Sequence, residues 1–170
     1  MRNSIALVFF ICVSLTSVAQ KDFKPLSFTG FTMRIPAAMD TMPADKILVK
    51  YNKKPDSKSS YYANADFSFS AVIDEVAQDI TEDMLLPLKP QLLAQLGNQK
   101  FSEDKILTIN NHKVIVVSFN SEVPGNKIFN RRIFFVANKK LFSVAYNTTE
   151  TDLLKRKTQI ETSIRSVLIK

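Results

Sequence analysis

Four predicted strands in the second half of the chain, joined by short polar turns, constrain the fold more than any other feature. The strands are residues 105–110, 113–119, 127–137 and 141–146, and the turns are Asn110-Asn111-His112, Ser121–Asn126 and Asn138-Lys139-Lys140. Asn tolerates the positive φ that tight hairpin turns require, and such turns join antiparallel neighbours. This region is therefore predicted to form an antiparallel meander.

Three further strands are predicted before the meander. Residues 28–36 and 65–76 alternate apolar and polar side chains, and residues 46–51 form a short apolar run. The polar segment 52–60 that follows the second of these strands is predicted to be an exposed loop.

The period of the sequence then changes from two residues to that of a helix. This first helix begins at Asp79, which fits a capping box with Glu82, and it ends before Gly97. Pro87 and Pro90 are expected to kink the helix or to divide it, because proline removes an amide donor and clashes with the preceding turn.

A second helix closes the chain. It begins at Thr149, which fits another capping box with Asp152, and it carries an apolar stripe opposite basic side chains. Residues 114–119 and 133–136 are apolar on both faces of their strands, which indicates a sheet that is covered on both sides. The predicted fold class is therefore α+β: a largely antiparallel sheet of about six to seven strands covered by two helices, an α/β/α sandwich.

The N-terminal segment has the pattern of a secretory signal peptide. A single positive charge, Arg2, precedes the apolar run of residues 5–13, which is too short to span a membrane. Ser17 and Ala19 supply the two small side chains of a cleavage site, so cleavage is predicted between Ala19 and Gln20. Residues 1–19 are then the leader, and residues 20–170 are long enough for one globular domain. A buried N-terminal strand or helix is the alternative.

The single cysteine, Cys12, lies in this leader. A mature chain without cysteine has no disulfide, no thiol nucleophile and no cysteine-based metal site. A lipoprotein signal also ends at a cysteine, but it needs a small residue just before it, and Ile11 stands there. The expected location is therefore the periplasm or the outside of the cell, without a lipid anchor and without a transmembrane span.

Three segments also carry a family resemblance. They are F-T-M-R-I-P at residues 31–36, K-I-F-N-R-R-I-F-F-V-A-N-K-K-L-F-S-V-A-Y at residues 127–146 and I-R-S-V at residues 164–167. In this order, in an exported chain, they resemble the PsbP-like superfamily, which includes the extrinsic photosystem protein, the Ran-binding Mog protein and DcrB-like envelope proteins. The resemblance implies an α/β/α sandwich that serves as a non-catalytic accessory or binding module, with partners that differ between members. It supplies no site motif.

Few residues of the chain offer catalytic chemistry. The one histidine, His112, lies in a predicted turn, and the three glycines lie too far apart for a phosphate-binding loop. Asp74 and Glu75 are adjacent on a strand and point to opposite faces, and Glu103 with Asp104 has the pattern of ordinary surface. No catalytic residue, metal site or cofactor is predicted.

Basic side chains are the remaining candidates for a binding site. The chain has a net charge of +7, and Lys139, Lys140, Lys155 and Arg156 could contact an anionic surface. The alternative is an ordinary solvated surface whose charge serves solubility. Nucleic acid is not expected as a partner, because the chain is predicted to be exported.

Three functions remain open at this level. The first is an exported, non-catalytic accessory or binding protein of the bacterial cell envelope, whose partner is another envelope protein. The second is an electrostatic binder of anionic lipid or polysaccharide, and the third is a carboxylate-based hydrolase. The sequence does not indicate an oligomeric state.

Overall fold

The computed structural model describes residues 21–123 and 125–170. Within these ranges the chain forms ten β-strands, three α-helices and two short 3-10 segments. The predicted leader and its cleavage site at Ala19 and Gln20 lie outside the described residues. In the described ranges, no helix has the length and apolar character that crossing a membrane requires.

The elements follow one another in this order: β1 Phe23–Phe28, β2 Phe31–Pro36, β3 Asp40–Thr41, α1 Ala44–Tyr51, β4 Ser59–Ala63, β5 Phe69–Gln78, a 3-10 segment Glu82–Met84, α2 Leu85–Ala94, β6 Phe101–Ile109, β7 His112–Val123, β8 Asn126–Ala137, β9 Lys140–Thr149, a 3-10 segment Glu150–Asp152, α3 Leu153–Arg165 and β10 Leu168–Ile169.

The strands form two antiparallel sheets. The larger sheet has seven strands in the order β3-β4-β5-β9-β8-β7-β6, and the smaller has three in the order β1-β2-β10. The predicted α+β class with a largely antiparallel sheet of six to seven strands is confirmed. The second sheet and the third helix were not predicted.

Two turns of the meander have the predicted conformation. Asn110 and Asn111 have φ of 47° and 68°, and Asn138 and Lys139 have φ of 47° and 57°. Positive φ at both central residues is the property of the hairpin turn that matches the twist of the strands. The chain also reverses within the predicted turn Ser121–Asn126, but the turn is shorter than predicted, because β7 continues to Val123 and pairs with β8 from Asn126 onward.

The two faces of the large sheet are covered differently. One face packs against the small sheet and α3, in a core that includes Phe31, Met33, Phe135, Tyr146 and Ile160. The other face carries α1 and α2, each over its own apolar cluster. The seven strands therefore lie between two layers, as a sandwich requires.

Residues 46–51 form helix α1, so the strand that was predicted there is wrong. Asp45 lies in the first turn and Lys50 in the last, where each charge favours the helix dipole. Asn52 ends the helix with φ of 49°, and its N–H donates to the Leu48 carbonyl. The apolar run misled the prediction because it is only partly buried: Ile47 is buried, whereas Val49 is 83% exposed.

The capping box predicted at Asp79 is wrong. Asp79 has φ of 57°, the 3-10 segment begins at Glu82, and α2 begins at Leu85. The Glu82 carboxylate instead accepts from the Lys113 backbone N–H at 2.8 Å. Helix α2 is continuous from Leu85 to Ala94 through both prolines, so the division that they were expected to cause does not occur.

The capping pattern of the last helix is present in modified form. The Thr149 side chain accepts from the Asp152 backbone N–H, at the start of a 3-10 segment that leads into α3. Thr149 therefore caps the helical region as predicted, although α3 itself begins at Leu153.

The remaining strand boundaries differ from the prediction at turns. The predicted strand 28–36 is the end of a hairpin, because Gly30 with φ of 90° separates β1 from β2. Strand β4 begins at Ser59, inside the predicted loop, and β5 begins only at Phe69. Strand β1 was missed because its polar positions and Pro25 are typical of an edge strand.

Candidate functional site

A cavity of about 750 Å³ lies between α1 and the large sheet. Helix α2 packs over the part of this sheet face that carries Ile115, Phe134 and Leu141. Helix α1 packs over Tyr61, Val72 and Ala145. The cavity occupies the rest of the face and extends to the β7–β8 hairpin at Ser121 and Val123.

Two polar side chains of strand β8 form part of the floor of the cavity. Alternate residues of a strand share a face, so Asn130 and Arg132 lie on the same face as Phe134 and Val136. Phe134 and Val136 are buried under α2, whereas Asn130 and Arg132 line the cavity. The change from apolar to polar side chains along β8 therefore marks the point where the covering helix ends.

Arg132 carries a charge that the chain does not neutralise directly. No carboxylate of the described residues lies within 4.0 Å of its guanidinium, which lies 6.0 Å from the centre of the Phe134 ring. Burial lowers the pKa of Arg132, and the negative charge of Asp74 opposes that shift. A guanidinium nevertheless stays protonated in proteins. Arg132 is thus a half-buried cation with donors available to a ligand.

Asp74 is the one acidic side chain among the described residues that line the cavity. It lies on β5 directly opposite Ser143 of β9. The Oδ1 atom of Asp74 and the Oγ atom of Ser143 are both enclosed, and neither has a hydrogen-bond partner among the described residues. An enclosed acceptor without a donor costs free energy, so the Asp74–Ser143 pair beside the cavity lacks a hydrogen bond that it needs.

Helix α1 adds two titratable side chains to the wall. The Lys50 Nζ atom donates to the Phe67 carbonyl at 2.6 Å, and the Tyr51 hydroxyl donates to Ser70 Oγ at 2.9 Å. Burial lowers the pKa of Lys50 to about 8 against the opposing charge of Asp66, and burial raises the pKa of Tyr51 to about 12. Near neutral pH, Lys50 is therefore mostly charged and Tyr51 is neutral.

Two amides fix the polar floor. The Asn147 Nδ2 atom donates to Asn130 Oδ1 at 2.6 Å, and Asn130 Nδ2 donates to Ser121 Oγ at 2.9 Å. These bonds link β9, β8 and β7 across the cavity and hold the amide groups in one orientation. The floor is therefore preorganised rather than free to rearrange around a ligand.

The mouth of the cavity is apolar and exposed. Val49 of α1 is 83% exposed and Val123 at the end of β7 is 46% exposed, and both line the cavity. Phe67 and Ile128 extend this apolar wall inward. Asp56 pairs with Lys53 at 3.0 Å, which leaves Lys50 and Arg132 against Asp74. The cavity thus combines an excess of positive charge with an apolar entrance.

The structure does not bring the four predicted surface residues together. Lys139 and Lys140 lie at the start of β9. Lys155 and Arg156 lie on α3, which follows the other end of β9. A ten-residue strand separates the two pairs by about 30 Å. Lys140 pairs with Glu75 at 2.8 Å, and the Arg156 guanidinium lies 5.2 Å from the centre of the Phe69 ring. None of the four lines the cavity.

A second cavity of about 480 Å³ lies on the opposite face of the sheet, beside α3. Its charged centre is Arg131, which is 8% exposed and pairs with Glu103 at 2.5 Å and with Glu161 at 2.9 Å. Glu103 is thus part of a half-buried ion-pair cluster. The prediction that it lies on an ordinary surface is wrong. Because its own chain neutralises Arg131, this cluster joins β6, β8 and α3 rather than offering a binding site.

Of the other positions considered in the sequence, Asp74 lines the cavity, whereas His112 and Glu75 do not. His112 lies 2.9 Å from Glu82 near the start of α2 and is only partly exposed. Asp74 lines the large cavity while Glu75 pairs with Lys140, so the two carboxylates do point to opposite faces as predicted. Across residues 21–123 and 125–170, no three metal-ligating side chains come together.

The comparisons with known proteins concern the fold alone. No protein-family model matches the chain, and no curated protein matches its sequence. Among solved structures, PsbP (CyanoP) of the cyanobacterium Synechocystis sp. PCC 6803 is similar, with a TM-score of 0.59 and 14% identity over 88% of this chain and 93% of the other. The chain has the PsbP-like fold. The resemblance predicted from the sequence is therefore confirmed as a likeness of fold.

Two bacterial structures share this fold. A protein from Bacteroides thetaiotaomicron has a TM-score of 0.58 and 10% identity over 88% of this chain, which corresponds to 49% of the other. A protein of unknown function from Pseudomonas aeruginosa, PA94, has a TM-score of 0.52 and 13% identity over 87% of this chain and 97% of the other. At these identities, the site of this PsbP-like chain has to be derived from its own side chains.

Proposed function

We propose that this PsbP-like chain is an exported, non-catalytic binding protein of the bacterial cell envelope, and that it holds an anionic ligand in the cavity under α1. One observation carries the proposal: Arg132 lines that cavity without an ion-pair partner among the described residues. A half-buried charge is costly unless something compensates it, and an anionic ligand does so.

The lining of the cavity supports binding rather than catalysis. A hydrolase that works with two carboxylates needs them about 5 to 9.5 Å apart on either side of the substrate. Asp74 is the only carboxylate among the described lining residues, and the lone histidine of the chain lies elsewhere. The side chains present can hold a ligand by charge, hydrogen bonds and apolar contact.

The leader supports the location in the cell envelope. Arg2, the apolar run of residues 5–13 and the small residue Ala19 follow one another in the order that export requires. The separation of the two basic pairs across β9 favours a ligand in the cavity over a broad anionic surface bound by Lys139 and Lys155.

The test is to express the full-length chain with a C-terminal tag, separate the cell fractions and analyse the purified protein by native mass spectrometry. The expected result is a processed chain in the envelope fraction that carries a small bound mass, and that mass is absent from Arg132→Met. Lys139→Met is the matched control, because it removes a basic side chain outside the cavity and should retain the mass. A cytoplasmic chain, or a chain without bound mass, would overturn the proposal.

A further inference from the structure

We infer that the ligand of the cavity is a single-headed anionic amphiphile: a carboxylate or phosphate with a neighbouring hydroxyl group and an apolar tail. This inference rests on the proposed function and specifies its ligand. Three parts of the cavity carry it, namely the cations of the floor and wall, the unpartnered acid beside them and the apolar mouth.

The cations define the head group. Both cations line the cavity, Arg132 from strand β8 of the sheet and Lys50 from α1. A guanidinium can donate two parallel hydrogen bonds to a carboxylate or a phosphate, and an ammonium acts as a point charge. Lys53 also lines the cavity, but Asp56 pairs with it at 3.0 Å, so Arg132 and Lys50 are the cations that face the head group. One small anionic group is what this arrangement binds.

Asp74 defines what must lie beside the head group. An anion that binds near this carboxylate is repelled unless a proton donor lies between the two. Asp74 Oδ1 has no hydrogen-bond donor among the described residues. Because Oδ1 itself is enclosed, a ligand hydroxyl close to the anionic group donates to the other carboxylate oxygen of Asp74, and this bond removes the repulsion. The site should therefore prefer a hydroxylated anion to a plain one.

The mouth defines the rest of the ligand. Along β8, Arg132 and Asn126 are six residues apart, a distance of about 20 Å, and Val123 pairs with Asn126 at the outer end. Ile128 lies along this path, and Val49 faces it from α1. Exposed apolar side chains at the entrance of a charged cavity are suited to a medium-length hydrocarbon tail. The volume of about 750 Å³ lies in the range of cavities that hold molecules of drug-like size.

The inference is tested by isothermal titration of the purified full-length product with four ten-carbon probes. These are decanoate, 3-hydroxydecanoate, decyl phosphate and 1-decanol. The wild-type chain should bind the three anions at least about tenfold more tightly than the alcohol. The comparison of decanoate with decyl phosphate then identifies the preferred head group.

Two variants separate the roles of the charged side chains. Arg132→Met should lower the affinity for the three anions at least about tenfold and leave the affinity for 1-decanol unchanged. Asp74→Leu should abolish the preference for 3-hydroxydecanoate over decanoate. It should also raise the affinity for decanoate, because it removes the repulsion between the Asp74 carboxylate and the anion. A gain in affinity cannot result from misfolding, so this variant keeps the test informative. Lys139→Met is again the control and should match the wild type.

Several results would overturn the inference. The first is an equal affinity for decanoate and 1-decanol. The second is a loss of affinity in Arg132→Met that is the same for all four probes. The third is a preference for 3-hydroxydecanoate over decanoate that persists in Asp74→Leu. Absence of binding by all four probes would also overturn it. If native mass spectrometry still finds an Arg132-dependent mass in that case, the proposed function stands and only the ligand class is wrong.

Discussion

Arg131 and Arg132 are adjacent in β8 and project from opposite faces of the large sheet, and among the described residues Arg131 has ion-pair partners whereas Arg132 has none. Arg131 lies between Glu103 and Glu161. Arg132 faces the cavity under α1, with no carboxylate of the described residues within 4.0 Å. The same residue type thus serves the stability of the fold on one face and, in our proposal, ligand binding on the other.

This pair gives the first prediction. Arg131→Met should lower the free energy of unfolding by about 3 kcal/mol, because it leaves the half-buried Glu161 carboxylate without a cation and leaves Glu103 with Lys105 alone. Arg132→Met should change it by less than about 1 kcal/mol, because it breaks no ion pair and keeps the apolar stem. Urea unfolding followed by circular dichroism measures both values. Equal losses would contradict the division of roles.

The second prediction concerns a buried hydroxyl pair between the sheet and α3. The fully buried Tyr146 hydroxyl bonds to Ser163 Oγ, which also donates to the Arg34 carbonyl of β2. Ser163→Ala should cost about 1 to 3 kcal/mol, because it leaves the tyrosine hydroxyl without a partner. Tyr146→Phe should cost about 1 kcal/mol, since Ser163 keeps its bond to Arg34. Thermal and urea unfolding check this order, and a reversed order would contradict it.

The third prediction compares two glycines that both have positive φ. A Cβ atom on Gly30 would lie 2.7 Å from Asn138 Cβ, whereas one on Gly97 would meet nothing within 4 Å. Gly97→Ala should therefore cost only the backbone strain, about 1 kcal/mol. Gly30→Ala should cost about 2 to 4 kcal/mol, because it also forces the β8–β9 turn away. The difference in melting temperature between the variants measures the contact, and equal melting temperatures would refute it.

The fourth prediction is a pH dependence of anion binding. Burial lowers the pKa of Lys50 to about 8, so its positive charge is present below that pH and is lost above it. Affinity for decanoate should therefore fall as the pH rises from about 7 to about 9, while Arg132 stays charged. Titrations across this range check the fall. Lys50→Met should bind more weakly at pH 7 and show no such dependence; a dependence that persists in it would exclude Lys50 as the cause.

The sequence predicted those parts of the fold that depend on local chemistry. The hairpin turns at Asn110-Asn111 and Asn138-Lys139 followed from the tolerance of Asn for positive φ, and the cap at Thr149 followed from its short hydroxyl side chain. Residues 46–51 were misread because a short segment with three consecutive apolar residues, 47–49, suits a strand or a helix equally well. Only the packing of Ile47 on the sheet separates the two.

The site was missed because it depends on which part of a sheet face a helix covers. A signal was present: Asn130, Arg132 and Asn147 are polar at positions that share a face with Phe134 and Leu141. The strand pattern alone does not show that α2 covers one half of that face and leaves the other open. The predicted basic residues failed to form one patch for a related reason, since they lie at opposite ends of β9.

The most direct test of the central claim is to map the bound probe by two-dimensional NMR of the isotope-labelled chain. Addition of 3-hydroxydecanoate should shift the amide signals of Lys50, Val72, Arg132 and Ala145, which surround the cavity. It should leave those of Lys139, Lys140, Lys155 and Arg156 unchanged. Shifts confined to these four basic residues, or no shifts at saturating probe, would contradict a binding site in the cavity under α1.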